Sequence, residues 1–275
     1  MNRLTCSLLI LSIILLIPAA GEGASELLAL ESPRAGVKLK LLLDKPENPE
    51  AVLVMFPGGL GNVGVASMGG GVGIGKELQN NFLVRTRGEY VKKGLAAAIL
   101  DTPSDLPDGM PVPFRMSKDH AQDLIFVIET LKQRLGVPVW LVGTSRGTIS
   151  VARGLAEESP QLSGAVLTSS ILQAGEKWPV RGSHPNVLLN MPLENVTVPV
   201  LIVHHRKDAC EETPPARVED LKGKFKKART VELKWIEGGL PPKSGPCQAL
   251  SAHGFYGVEG EAVLSIAEFV KANLK

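Results

Sequence analysis

The segment Gly143-Thr144-Ser145-Arg146-Gly147 constrains the fold of this chain more than any other. It directly follows the apolar run 137–142, which is typical of a buried strand, and it precedes a helix-like stretch at 148–156. A small-x-Ser-x-small segment between a strand and a helix is typical of a nucleophile elbow, a sharp turn that exposes the serine hydroxyl. With 29 glycines in the chain such a pentapeptide also arises by chance, and an ordinary strand–helix turn is the alternative. The flanking strand and helix favour the elbow.

Strand-like and helix-like segments alternate along the chain, which predicts one α/β domain over residues 24–275. We expect a mostly parallel eight-stranded sheet with helices on both faces. Strands are predicted at 25–30, 36–43, 51–56, 95–101, 137–142, 164–169, 198–207 and 230–236, and helices at 76–93, 117–135, 148–156 and 258–274. The glycine-rich stretch 58–75 and the proline-rich stretch 102–116 are predicted to be loops.

A serine hydroxyl is a weak nucleophile at neutral pH and needs a base, which a carboxylate in turn orients. Downstream of Ser145, the strand that begins at Val198 leads into Asp208 at its carboxyl end. The last histidine of the chain, His253, lies in a loop after the following strand. The alternatives are a solvated loop acid for Asp208 and a surface loop residue for His253.

In these motifs and their order the chain resembles the α/β-hydrolase superfamily. The resemblance implies that Ser145 is the nucleophile, His253 the general base and later acid, and Asp208 the orienting carboxylate. It also implies an oxyanion hole formed by the amide of Arg146 and by an amide of Gly59 or Leu60. The segment 171–197 lies where many such enzymes carry a cap, and its length predicts a short one.

Two nucleotide-binding patterns occur in the glycine-rich stretch, and neither has the required context. The motif G-x-G-x-x-G spans 59–64, but more glycines follow it where a helix should begin. Residues 70–76 resemble a P-loop, but Glu77 stands where Ser or Thr should bind magnesium. We therefore expect no cofactor.

The first 23 residues are typical of a signal peptide. A short basic start at Arg3, an apolar core from Leu8 to Ile17 and small residues around Gly21 make up the pattern. We expect cleavage after Gly21, with Gly23 or Ala24 as alternatives. This predicts a periplasmic or secreted protein with no stable membrane insertion after cleavage; an uncleaved anchor is the alternative.

Removal of residues 1–23 leaves two of the three cysteines, Cys210 and Cys247. In an oxidising compartment such a pair predicts a disulfide, here between the loops that carry Asp208 and His253. Two free buried thiols are the alternative. Two cysteines without a paired histidine spacing do not predict a metal site.

A formal net charge of +2 does not favour a nucleic-acid partner. The sequence instead predicts an exported serine hydrolase that acts on a small-molecule ester or amide. A carboxylesterase for small or medium acyl groups is the leading interpretation. A peptidase or amidase of the same fold is the alternative, followed by a non-catalytic binding protein.

Overall fold

The computed structural model describes residues 24–68, 71–157, 159 and 161–274. The predicted signal peptide, residues 1–23, lies outside the described residues. In chain order the elements are β1 (Ala24–Glu31), β2 (Lys38–Lys45), β3 (Ala51–Phe56), β4 (Ala66–Met68), β5 (Gly71–Gly73), α1 (Phe82–Lys92), β6 (Leu95–Leu100), α2 (Val112–Arg115), α3 (Lys118–Leu135), β7 (Val139–Thr144), α4 (Gly147–Ala156), β8 (Leu162–Thr168), β9 (Val200–His205), α5 (Val218–Lys224), β10 (Val231–Ile236) and α6 (Glu259–Ala272).

Eight strands form one sheet, as the sequence predicts, and their order in it is β1-β2-β6-β3-β7-β8-β9-β10. The strands from β6 to β10 in this order are parallel, whereas β2 pairs antiparallel with both β1 and β6. Every residue of the central strands β3, β6 and β7 is buried. Continuous apolar runs produce such strands because helices cover both faces of a parallel sheet.

Two apolar layers confirm that helices cover both faces of the sheet. On β3, Val52, Val54 and Phe56 join the layer formed with α3, α4 and α5, whereas Leu53 and Met55 join the layer formed with α1 and α6. This alternation follows from the two-residue period of side chains along a strand. None of the helices in the described part of the chain is long and apolar enough to cross a bilayer.

Both predicted loops contain regular structure. In the glycine-rich stretch β4 pairs antiparallel with β5. The carboxylate of Asp101, at the end of β6, accepts hydrogen bonds of 2.7–3.2 Å from the amides of Val63, Gly64 and Val65. The proline-rich stretch contains α2, which begins after Pro111. Helix α1 begins at Phe82 rather than near residue 76, because the Asn81 side chain caps it through the Leu83 amide.

Two of the buried histidines, His120 and His204, have strongly lowered pKa values. The position of His120 at the start of a predicted helix favours a solvated or capping role, but this prediction is wrong, because the residue is buried and its ring packs against Phe56 and Phe114. His204 is fully buried on β9, where Nε2 donates to the Thr213 carbonyl at 3.0 Å. Burial lowers the pKa of His204 to about 4 and holds that of His120 well below its ordinary value.

We expect the free energy of unfolding to fall as the pH drops from about 6.5 to about 4. The unfolded chain binds protons on these imidazoles below pH 6.5, whereas folded His204 remains neutral until about pH 4. Each pKa unit corresponds to about 1.4 kcal/mol, so His204 alone contributes about 3 kcal/mol across this range. Urea unfolding at several pH values should show this slope, and a shallower one in His204→Gln. An equal slope in both proteins would contradict the prediction.

Candidate active site

Ser145 lies in the turn between β7 and α4, in a backbone conformation that non-glycine residues rarely adopt. Its φ of +53° is in the left-handed region. The Ser145 amide donates to the Thr168 carbonyl at 3.0 Å, and the Ser145 carbonyl accepts from the amide of Thr148 at 2.9 Å. These bonds hold the strained turn, which is the geometry expected of a nucleophile elbow.

Glycines around Ser145 are required by close backbone contacts. A Cβ on Gly147 would lie 1.8 Å from the Phe56 carbonyl oxygen, and one on Gly143 would lie 2.5 Å from the Gly147 oxygen. A Cβ on Gly58 would lie 2.9 Å from the Cβ of Ser145. The helix after Ser145 therefore starts directly against the end of β3 and the loop that follows it.

Asp208 and His253 form a buried hydrogen-bonded pair. Asp208 follows β9, His253 lies in a short 3-10 turn after β10, and Nδ1 of His253 is 3.0 Å from Oδ2 of Asp208. The other carboxylate oxygen accepts from the Cys210 amide at 3.0 Å. Burial opposes ionisation of Asp208, but the hydrogen bond and charge of His253 outweigh it and hold the pKa of Asp208 below its ordinary value.

A cleft of about 50 Å³ contains both Ser145 and His253, with Gly58 and Gly59 on its wall. Nε2 of His253 is buried and has no hydrogen-bond partner within the described part of the chain. Because Asp208 engages Nδ1, Nε2 is the ring nitrogen left to exchange a proton. The structure thus places Ser145 and His253 on one cleft and bonds Asp208, which does not line the cleft, to His253; Ser145 and His253 are not hydrogen-bonded to each other.

The two candidates for the second oxyanion donor differ in position. The Gly61 amide donates to the Gly58 carbonyl at 3.2 Å, which closes a tight turn around Gly59 and Leu60. Gly59 adopts a φ of +60° and lies on the wall of the cleft. Leu60 is 46% exposed and is not part of that wall. Of the two residues, Gly59 is therefore the one that shares the cleft with Ser145.

Arg115, which the sequence did not single out, contacts the chain directly before this turn. Its guanidinium is fully buried and donates to Ser150 Oγ at 2.7 Å and to the Pro57 carbonyl at 3.4 Å. No carboxylate of the described residues lies within 4.0 Å of it. Burial, together with the charge of Arg146, lowers the pKa of Arg115 to about 9. No local pattern distinguishes this arginine, because its burial results from the docking of α2 on α4.

The predicted disulfide between Cys210 and Cys247 is present. It links the loop after Asp208 to the loop before His253, and Cys247 itself lies on the wall of the cleft. The bridge therefore restrains the two loops that position the buried pair.

The segment between β8 and β9 forms the predicted short cap, with only two 3-10 turns at Pro179–Arg181 and Val187–Asn190. Val187 and Leu188 are fully buried in the core, so they pack rather than line an acyl site. In the same segment, Trp178 contacts the residue after Ser145: the guanidinium of Arg146 stacks 4.6 Å from the Trp178 ring centroid. Glu212 is 3.8 Å from the same guanidinium.

A larger cavity of about 440 Å³ lies beside the loops that carry Asp208 and His253. Its lining includes His205, Lys207, Leu240, Pro246 and Ser251. None of Ser145, Asp208 and His253 lines it. Its size alone does not make it the candidate site, because Ser145 and His253 lie on the small cleft instead.

Structure comparison places this architecture among known folds. The chain is similar to dienelactone hydrolase from Anabaena variabilis, with a TM-score of 0.62 and 14% identity over 92% of this chain and 100% of that one. It is also similar to a cold-adapted esterase from an Arctic intertidal metagenomic library, with a TM-score of 0.61 and 16% identity over 92% and 95% of the two chains. The acylaminoacyl peptidase of Pyrococcus horikoshii matches with a TM-score of 0.62 and 16% identity over 92% of this chain and 42% of that one.

No protein-family model and no curated protein sequence matches the chain. The structural likeness, with the eight-stranded sheet, establishes that the chain has the α/β-hydrolase fold.

We expect Gly147→Ala to destabilise the protein by about 3 kcal/mol or more, because the added methyl group overlaps a main-chain oxygen that cannot move alone. Gly182→Ala is the matched control, since nothing lies within 4 Å of a Cβ there. Urea unfolding of both variants measures the difference. Equal unfolding free energies would mean that the close contact with β3 is not a constraint.

We expect the double variant Cys210→Ala/Cys247→Ala to lose about 3–4 kcal/mol of unfolding free energy, the chain-entropy value for a loop of this length. The sequence separation of 37 residues sets that value. The oxidised parent should show the same loss after reduction by dithiothreitol. Unchanged stability in both samples would contradict a stabilising bridge.

Proposed function

We propose that the protein is an exported serine hydrolase, and that it acts as a carboxylesterase on small or medium acyl esters. One observation carries the proposal: a strained Ser145 shares a cleft with a histidine whose Nδ1 is bonded to a buried aspartate. The unpartnered Nε2 of His253 is the base such a nucleophile requires.

In the proposed reaction, Ser145 Oγ attacks the ester carbonyl while Nε2 of His253 takes the hydroxyl proton. Asp208 holds the imidazole in the tautomer with a proton on Nδ1 and stabilises the imidazolium. The amides of Arg146 and Gly59 receive the oxyanion, with Leu60 as the alternative second donor. The imidazolium then protonates the leaving alcohol, and water, activated by His253, releases the acid from the acyl-enzyme.

Export is proposed from the N-terminal pattern of residues 1–23 and from the disulfide, which persists in oxidising compartments. N-terminal sequencing of the protein recovered from the periplasm or the medium tests it. A mature terminus between residues 22 and 25 is expected. A full-length cytoplasmic protein would contradict it.

A peptidase or amidase is the second candidate, because the acylaminoacyl peptidase shares the fold. The same triad chemistry serves both, but an amide substrate needs protonation of an amine leaving group. The chain spans less than half of that peptidase. The match to the cold-adapted esterase covers 95% of that chain, and this favours the esterase interpretation.

The test is turnover of short p-nitrophenyl esters and of matched anilides by the oxidised, mature protein. We expect ester hydrolysis with a higher kcat/KM than for the anilides, and a loss of at least about 10³-fold in Ser145→Ala. Ser265→Ala on α6 is the matched control and should retain parent activity.

Full turnover in Ser145→Ala would overturn the proposal. A preference for anilides would move the assignment to the peptidase. Inactivity of a folded parent toward both substrate classes would favour a binding protein.

A further inference from the structure

We propose that Thr213 is a positioning residue of this site, whose hydroxyl group fixes the positions of the Asp208 carboxylate and the His253 ring relative to each other. The inference rests on the proposed function and adds a fourth side chain to it. Thr213 is fully buried, five residues after Asp208, and does not line the cleft. Its Oγ1 lies 2.9 Å from Oδ2 of Asp208 and 3.3 Å from Nδ1 of His253.

The direction of these hydrogen bonds follows from the available protons. The single hydroxyl proton of Thr213 can reach Oδ2 of Asp208 at 2.9 Å or the Cys210 carbonyl at 3.5 Å. The carboxylate is closer and charged, so it is the acceptor. The lone pairs of Oγ1 then face Nδ1–H of His253, which also donates to Oδ2 at 3.0 Å.

This arrangement selects one tautomer of His253. Two acceptors, Oγ1 of Thr213 and Oδ2 of Asp208, surround Nδ1, so the ring proton resides there and Nε2 is left as the acceptor. That is the tautomer a general base for Ser145 requires. Thr213 therefore acts through Asp208 and His253, without contact with the reacting atoms.

The position of the Thr213 side chain is itself determined by its backbone. The Thr213 amide donates to the Cys210 carbonyl at 3.1 Å, and the Thr213 carbonyl accepts from Nε2 of His204 at 3.0 Å. His204 packs edge-on against Trp235, and Cys210 is anchored by the disulfide. Because both the amide and the carbonyl of Thr213 are hydrogen-bonded, its hydroxyl remains directed at the Asp208 carboxylate.

Loss of the hydroxyl should impair turnover rather than substrate binding. Thr213→Val keeps the shape but removes one of the two side-chain donors to Oδ2 of Asp208. Loss of this hydrogen bond to a charged carboxylate should decrease kcat about 10- to 100-fold. KM should stay within about 2-fold, since Thr213 is not on the cleft wall.

The experiment compares four variants in p-nitrophenyl ester turnover and in the rate of fluorophosphonate labelling. Thr213→Val and Thr213→Ala remove the hydroxyl, and Thr213→Ser retains it. Thr86→Val is the control, a buried threonine of α1 whose hydroxyl donates to the Phe82 carbonyl at 2.7 Å. Urea unfolding verifies that each sample is folded; if Thr213→Val does not fold, Thr213→Ala decides.

We expect kcat and the labelling rate to fall about 10- to 100-fold without the hydroxyl, while Thr213→Ser and Thr86→Val stay within about 3-fold of the parent. Parent-like kcat in a folded Thr213→Val or Thr213→Ala would overturn the inference. Equal losses in Thr213→Ser and Thr213→Val would overturn it too, because shape alone would then matter. A parent that neither turns over nor labels would instead refute the proposed function.

Discussion

The contact between the first turn of α4 and the end of β3 is the constraint on which the site depends. Gly147 packs directly against the Phe56 carbonyl, so no side chain fits between the helix and the central strand. This contact sets the sharp turn at Ser145 and brings the loop after β3, with Gly58 and Gly59, beside it. This single contact between two backbone segments therefore positions both the candidate nucleophile and a candidate oxyanion donor.

The candidate site contains two buried polar networks, which differ in charge balance. Asp208 is compensated by His253, the Cys210 amide and the Thr213 hydroxyl. Arg115 is fully buried beside Pro57 with neutral partners only. A buried charge without a counter-ion is costly, so its presence beneath the loop of a proposed oxyanion hole suits a site that develops negative charge.

Much of the fold could be predicted from the sequence, because buried parallel strands are continuous apolar runs. The β3 prediction matches the observed bounds, and the β6 prediction is only one residue longer. One prediction failed on a local contact and one on a tertiary contact. The start of α1 depends on the cap that Asn81 forms with the Leu83 amide, whereas the burial of His120 depends on its packing against Phe56 and Phe114.

The residues of the candidate site were also predictable only in part. Chain order and strand ends indicated Ser145, Asp208 and His253; the structure places Ser145 and His253 on one cleft and bonds Asp208 to His253. Thr213 and Arg115 belong to no sequence motif, since each is defined by atoms distant in the chain. The choice between Gly59 and Leu60 also needed the cleft wall, because adjacent amides in a glycine-rich loop are equivalent in sequence.

Covalent labelling identifies the nucleophile most directly. We would treat the oxidised protein with a fluorophosphonate and locate the adduct by peptide mass spectrometry. We predict one adduct, on the peptide that contains Ser145, and none after prior unfolding in urea. An adduct on another serine, or no adduct on folded protein, would contradict the assignment of Ser145 as a nucleophile activated by His253 and Asp208.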